Sequence, residues 1–256
     1  MKISLITVVY NRAATIERTI LSVLNQSYSD IEYILVDGAS TDGTLDVIRK
    51  YENRISQIIS EKDNGVYDAI NKGIKAATGT LIGILHADDR FAHKEVLSQI
   101  AESFHSNPDT DCLFGDVGFV RSSEPDKIVR YFSSSIFKMN RFKLGIMPAH
   151  PTFYCYKKYF DQYGLYRTDL EISSDFDLLL RFIYKHQLRY VYLPQIMVMM
   201  NMGGKSTSGL SSTLKINREN RQVLKEHGIS SSYFHLYSRY FIKIGEFLWH
   251  RRKKLS

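Results

Sequence analysis

Apolar residues in the first half of the chain switch repeatedly between unbroken runs and a spacing of three to four. Residues 3–10 read ISLITVVY, Ile16, Ile20 and Leu24 then recur at every fourth position, and IEYILV follows at 31–36. An unbroken run bounded by polar residues fits a strand buried on both faces, whereas recurrence at four fits one face of a helix. The segment therefore predicts a β-α-β unit, with a parallel sheet and a right-handed crossover. The alternation continues: Val47, Ile48 and Tyr51 mark a short helix, ISQIIS a strand, Tyr67 to Ala77 a helix and LIGIL a central strand. Val96 to Phe104 predicts another helix and Cys112 to Val120 another strand. Beyond about residue 125 the order changes to short β-like runs, a helix at about 175–186, the run YVYLPQIMVMM broken by Pro194, and then polar helices. The expected class is α/β, a mostly parallel central sheet flanked by helices.

In open parallel sheets ligands bind outside the carboxyl ends of the strands, so the residues that follow each strand are the first candidates for function. After the first come Tyr10-Asn11-Arg12, after the second Asp37-Gly38-Ala39-Ser40-Thr41-Asp42-Gly43, after the third Glu61-Lys62-Asp63-Asn64-Gly65, and after the fourth His86-Ala87-Asp88-Asp89. So many acids at strand ends point to a metal, a sugar, or both. Adjacent Asp88 and Asp89 raise each other's pKa unless a cation compensates, and Mg²⁺ or Mn²⁺ binds through one or two carboxylates plus substrate phosphates. The competing reading, of equal weight from this pair alone, makes Asp88 a helix cap and leaves Asp89 solvated. At the second strand end Asp37 favours ligand binding, while Thr41 and Asp42 favour capping of the next helix.

Other chemistries find no support. The dinucleotide fingerprint GxGxxG does not follow the first strand, and Gly204-Lys205-Ser206 lacks the earlier glycine of a phosphate-binding loop, Met199 standing there. A GxSxG nucleophile elbow and a zinc-spaced His/Cys cluster are both missing. Cys112 and Cys155 lie inside apolar stretches and read as buried thiols of a reducing compartment. The apolar run at 3–10 stops at Asn11-Arg12 with no small-residue cleavage site behind it, so it reads as a strand and not a signal peptide. No window approaches the roughly 18 apolar residues of a membrane span, and a cytoplasmic location is expected.

Several of these stretches, in order, are similar to one family. SLITVVYNRAATIERTILSVLNQSYSDIEYILVDGASTDGT and EKDNGVYDAINKGIKAATGTLIGILHADD resemble the nucleotide-sugar half of glycosyltransferase family 2. MPAHPTFYCYKKYFDQYGLY, ISSDFDLLLR and MNMGGKS extend the likeness to about residue 207. The resemblance implies a GT-A fold, with residues 1–207 as the transferase domain: 1–120 the nucleotide-sugar half, 121–207 the acceptor and catalytic half. It also implies inverting transfer from a nucleoside-diphosphate sugar, with Mg²⁺ or Mn²⁺ as cofactor. Matched position by position, Thr7, Val9, Tyr10, Asn11 and Asp37 fall on the nucleoside wall. Asp68, Asn71 and Lys72 fall near donor phosphates or sugar, and Asp88 and Asp89 on the metal motif, with Asp88 also toward the donor. His86 stands where relatives often carry Asp or Asn, so it either approaches the metal or sugar or packs at the strand end. Asp175 matches the catalytic base, although the acid that usually precedes it is Ser174 here. Without the resemblance Asp175 reads first as a helix cap, and Asp177 is the rival base. His150, held extended by Pro151, is open to an acceptor or phosphate or is a buried, satisfied histidine. Lys205 is a further candidate for such a contact.

Residues 215–256 carry ten Lys/Arg against three acids, which is the whole formal charge of +7. Within them Tyr233, Leu236, Tyr237, Tyr240, Phe241, Ile244, Phe247 and Leu248 make an apolar stripe at helical spacing with Trp249 beside it, opposite Ser238, Arg239, Lys243 and Glu246. The sequence ends in the basic run Arg251-Arg252-Lys253-Lys254 before Leu255-Ser256. Residues 208–256 thus read as a basic helical appendage, either packed on the domain or docked on an anionic membrane surface, where a lipid-linked acceptor of bacterial surface-polysaccharide assembly would lie. An oligomer is possible on this reading. A nucleic-acid-binding role rests on the tail alone and leaves the strand-end acids unexplained, since they repel phosphate backbones. A non-catalytic nucleotide-sugar-binding protein is the other alternative.

Overall fold

The first apolar run forms strand β1 (Ile3–Val9), whose seven residues are all buried. In this computed structural model, which describes residues 1–202 and 210–239, β1 lies between β2 (Ile31–Asp37) and β4 (Leu81–Ile84), parallel to both. Strand β3 (Gln57–Ser60) adds in parallel beyond β2. The helices α1 (Ile16–Leu24), α2 (Thr44–Arg49), α3 (Val66–Ala76) and α4 (Val96–Ser106) fall where the apolar spacing places them. Alternation along β1 sends Ile6 and Val8 to one face, against Ile70 and Ile74 of α3, and Ile3, Leu5 and Val9 to the other, among Ile16, Ile20 and Ile100 of α1 and α4. Coverage on both faces is why these strands read as continuous apolar runs. Helix α3 sits unusually close: a Cβ on Gly73 would lie 2.5 Å from Ile6 Cγ2.

The second half turns the sheet from parallel to mixed. After the short β5 (Arg90–Phe91), β6 (Cys112–Arg121) forms a hairpin with β7 (Glu124–Phe132). Strand β8 (Tyr154–Tyr156) runs antiparallel between β4 and β6, and β9 (Tyr190–Asn201) pairs parallel to β6 and antiparallel to β5. The strand order is β3-β2-β1-β4-β8-β6-β9-β5, with β7 on β6. Pro194 does not break β9. It sits exposed in a bulge, where the pairing jumps from Phe114↔Tyr192 to Asp116↔Ile196, so its missing N–H costs no ladder bond. Cys112 and Cys155 face each other across β6 and β8 as fully buried free thiols, as expected.

Helices α5 (Lys157–Tyr163), α6 (Ser174–Leu179) and α7 (Leu210–Glu226) complete the second half, with a π-helical turn at Leu180–Lys185 continuing α6. Helix α7 packs against the rest of the second half. Val223 and Leu224 of α7 are fully buried in one cluster with Phe176 and Leu179 of α6, and Leu236, from a helical stretch at 233–239, joins them. Arg239, expected on the polar face of the tail, is buried: its guanidinium donates to Gly145 O (2.9 Å) and Asn217 Oδ1 (2.7 Å). The start of the tail is therefore part of the domain. The rest of the expected stripe, Tyr240 to Trp249, and the basic run 251–254 lie outside the described residues. Among the described residues no helix is long and apolar enough to cross a membrane.

Candidate active site

The loops that follow β1, β2 and β3 pack against one another at the carboxyl edge of the sheet. Asn11 accepts the Thr41 N–H at its Oδ1 and donates its own N–H to Ser40 Oγ, both at 2.9 Å. Asn11 (φ 50°) and Ala39 (φ 61°) both adopt the left-handed region, which non-glycine residues enter rarely and mostly at functional sites. At Gly38 a Cβ would lie 2.3 Å from Asp63 Oδ2 and 3.4 Å from the Tyr10 ring, so any side chain there would displace the Asp63 carboxylate. Tyr10 leaves its ring exposed at the strand end. Thr7, Val9 and Asp37 lie beneath that surface, buried in the sheet. Asp37 is 0 % exposed and accepts from Ser60 Oγ (2.7 Å) and the Ser40 N–H, so its carboxylate shapes the turn. Asp42 accepts from the Thr44 N–H and hydroxyl and from the Ala13 N–H in an Asx-type turn, while the N-cap of α2 is Gly43, with no side-chain cap.

Helix α3 carries the next expected group, and its members separate. Asp68 accepts the Asn64 N–H at 3.0 Å, and Lys72 bonds Glu61 and Lys62 O at 2.8 Å each, so both border the 61–65 loop. Asn71 points the other way. Its amide donates to Tyr166 O (2.8 Å) and accepts from Tyr166 N (3.0 Å), which uses it to join α3 to the second half instead of to a donor.

The acidic pair divides its roles by depth. The Asp88 side chain is 38 % exposed and receives Arg12 Nε at 2.8 Å and Thr15 Oγ1 at 2.7 Å. Asp89 is 4 % exposed, and burial together with the charge of Asp88 pushes its carboxyl up to about 8, against the pull of the Asn201 N–H. Asn201 also donates from Nδ2 to Asp88 O (2.8 Å), while its buried Oδ1 has no partner among the described residues. No three His, Cys, Asp or Glu side chains among the described residues converge into a ready-made metal cage. One reachable carboxylate with an orphaned amide oxygen nearby fits instead an ion that takes most of its ligands from diphosphate and water, the usual habit of Mg²⁺ and Mn²⁺.

Across from this loop stand His150 and Asp175. His150 Nδ1 lies 3.0 Å from Asp175 Oδ2, and its ring meets His86 edge-on with centroids 5.9 Å apart. Burial holds both imidazoles down to about 4, with mutual repulsion adding at His86, so both are neutral at pH 7 and His150 donates Nδ1–H to the carboxylate. Burial pushes Asp175 up to about 6 despite the Phe176 N–H on its Oδ1 (2.8 Å). That bond runs to the next residue, which is not the geometry of a helix cap. Tyr67 and Tyr166, stacked at 5.8 Å, flank the same carboxylate closely enough for its charge to hinder their ionisation.

Asp177, the rival base, is 1 % exposed and closed off. It receives His227 Nε2 (2.9 Å) and Arg181 Nη2 (3.2 Å) and lies 3.7 Å from Arg167 Nη1. Burial alone would raise its pKa, but these cations and the His227 hydrogen bond hold it below the usual carboxylate range. Such a network fastens α6 to α7 and offers no free lone pair to an acceptor. Thr15, Asn201 and His227 were not singled out from the sequence, and Arg12 only as a residue following β1, because each meets its acid partner only through the fold. Lys205 lies outside the described residues.

The model of the family described as glycosyl transferase family 2 matches residues 4–164. A PGL/p-HBAD biosynthesis glycosyltransferase of Mycobacterium bovis is 28 % identical over 214 residues, covering 82 % of this chain and 79 % of the relative. Staphylococcus aureus TarS, solved by crystallography, superposes with TM-score 0.67 at 20 % identity; the match covers 88 % of this chain but only 42 % of TarS. Its 1–349 fragment has also been solved in complex with UDP-GlcNAc. The mannosyltransferase PcManGT of Pyrobaculum calidifontis, in complex with GDP-Man and Mn²⁺, superposes with TM-score 0.64 at 18 % identity, covering 90 % of this chain and 65 % of that one. At these identities the two structures establish the shared fold.

Proposed function

The chain belongs to glycosyl transferase family 2, and from that premise we propose an inverting transfer of a hexosyl or N-acetylhexosaminyl group from a nucleoside-diphosphate donor to an acceptor hydroxyl. The observation that carries this reading is Asp175: a largely buried carboxylate, held near pKa 6 by burial and oriented by a neutral His150, beside the His86 to Asp89 loop. Asp175 takes the proton from the acceptor hydroxyl as that oxygen bonds to the anomeric carbon, and the bond from that carbon to the diphosphate breaks on the opposite side. One displacement inverts the configuration and needs no covalent enzyme intermediate. Asp88 would hold a divalent ion, with Asp89 and Asn201 fixing its loop, and the chemistry such an ion would supply is neutralisation of charge on the departing diphosphate. Tyr10 and the Asn11 to Ser40 contact would seat the nucleoside, with Asp63, Asp68 and Lys72 bordering the donor.

A panel of UDP-, GDP- and TDP-sugars with Mg²⁺ or Mn²⁺ tests the reading, with anomeric configuration read by NMR. Transfer or slow donor hydrolysis that requires the ion, with inverted product, is the expected result. Binding without turnover for every donor favours a non-catalytic nucleotide-sugar-binding protein, and a retained configuration removes the single displacement.

We further propose that the acceptor is lipid-linked and that the tail docks on an anionic membrane. Phe234, 82 % exposed, and Tyr233, beside the guanidinium of Arg221, begin an aromatic and basic surface on the described part of the tail. Each Lys/Arg near an anionic surface adds about 1 kcal/mol. Because Leu236 and Arg239 belong to the domain, truncation is made after residue 239. The truncated protein is expected to bind anionic liposomes at low salt at least about tenfold more weakly, as loss of the four basic residues at 251–254 implies, with donor affinity unchanged. Equal liposome binding by both forms would exclude docking through the tail.

A further inference from the structure

The backbone that leads into Asp175 is held from a distance. Glu219 of α7 is buried, and its carboxylate accepts three consecutive N–H groups: Glu171 at 3.3 Å, Ile172 at 3.0 Å and Ser173 at 2.9 Å. On the opposite side of the same turn the Tyr67 hydroxyl, from α3, donates to Ile172 O. Local sequence supplies little of this order. Ser173 stands at the N-cap position of α6 without a side-chain cap, and the hydroxyls of Ser173 and Ser174 have no partner among the described residues. Glu219 forms no ion pair with a Lys, Arg or His among the described residues, so backbone amides are what its charge meets there. Hydrogen bonds to an ionised acceptor are about twice as strong as neutral ones. Three of them converge on one turn beside the site.

From this geometry we propose that Glu219 is a positioning residue for the transfer step: its carboxylate fixes residues 171–173 so that Asp175 is aimed at the acceptor hydroxyl. The proposal rests on Asp175 as the base, and it assigns a role to a residue beyond the 4–164 span that the family model matches. A misplacement of about 1 Å at a reacting group costs on the order of 10²-fold in rate, so a partly loosened turn has a kinetic consequence out of proportion to its effect on folding.

Glu219→Gln keeps the shape of the side chain but turns an NH₂ group toward N–H donors. It is expected to lower kcat about tenfold or more, with donor KM and calorimetric donor affinity within about twofold. Glu219→Ala is measured in parallel, and thermal melts establish the folded fraction of each. The decisive comparison is Asp175→Asn alone and combined with Glu219→Gln. If Glu219 acts through Asp175, the second substitution adds less than about twofold to the loss already caused by the first. A merely structural role lowers kcat and donor affinity together with the folded fraction and multiplies with Asp175→Asn, which overturns the proposal, as does a Glu219→Gln kcat within about twofold of wild type. Near-normal turnover by Asp175→Asn identifies failure of the base assignment itself, whereas an inactive Asp175→Asn beside a normal Glu219→Gln confines the failure to the positioning role.

Discussion

Asp175→Asn is expected to lower turnover by roughly 10²-fold or more while leaving donor affinity within a few fold. An amide has the size of the carboxylate and can still accept the Phe176 N–H, which is 2.8 Å from Oδ1 in the native protein. It has no lone pair basic enough to remove a hydroxyl proton. Single-turnover kinetics beside calorimetric titration of the donor separate the two effects. The native enzyme should also lose kcat as pH falls through about 6, because burial raises Asp175 to that value and the protonated form is not a base. An ordinary carboxylate would keep its activity two units lower. Near-normal turnover in the variant would move the base to another carboxylate, though not readily to Asp177, whose oxygens are taken by His227 and Arg181. Unfolding of the variant would instead assign Asp175 to the architecture of α6.

The choice between these two aspartates illustrates what the chain discloses by itself. They stand two positions apart at the start of one helix, and no local rule separates them. The resemblance favours Asp175, and the physical reason appears only with partners from elsewhere: His227, fifty positions on, closes Asp177, while His150, which opens the 3₁₀ turn His150–Thr152 instead of lying extended before Pro151, leaves one edge of Asp175 open. Asn71 illustrates the reverse. It sits in a motif whose other members border the 61–65 loop, yet its amide is taken up by Tyr166, 95 positions away. Strands β1, β2 and β4 were legible because burial on both faces leaves a continuous apolar run in each, whereas the edge strand β3 shows only the half-buried pair Ile58 and Ile59. The mixed half was less so: β8 has three residues, β7 is a largely polar strand beside β6, and β9 contains a proline that only a bulge can accommodate. Helix α7 reads as part of a basic appendage because residues 215–256 together carry +7, although the helix itself has four Lys/Arg against two acids. Its structural work is done by Glu219, Val223 and Leu224 on the inner side.

Asp88→Asn is expected to remove most of the gain in donor affinity that a divalent ion confers, at least about tenfold, since the exposed carboxylate is the one an ion can reach. Asp89→Asn should affect that gain less and change instead how stability depends on pH. In the metal-free protein Asp89 titrates near 8, against about 4 in an unfolded chain, so the folded state holds the proton more tightly. The resulting stability is complete below about pH 4 and is lost as pH rises through 8. His86 and His150, held down to about 4, act in the opposite sense: their contribution is present above about 6.5 and lost as pH falls. Asp175, raised to about 6, has released its proton by then. Between pH 6.5 and 8 the loss at Asp89, roughly 1.6 kcal/mol, outweighs the roughly 0.8 kcal/mol still regained at the two histidines, so unfolding free energy in the presence of a chelator should fall by roughly 1 kcal/mol across that window. Asp89→Asn should abolish that fall, and Asp88→Asn should shift it to lower pH by removing the neighbouring charge. Denaturant titrations at the two pH values, beside calorimetry of nucleotide with and without Mn²⁺, test both halves of the assignment. If Asp89→Asn abolishes metal-dependent binding and Asp88→Asn does not, burial has misidentified the ligand, and the ion must draw the 86–89 loop inward to reach Asp89.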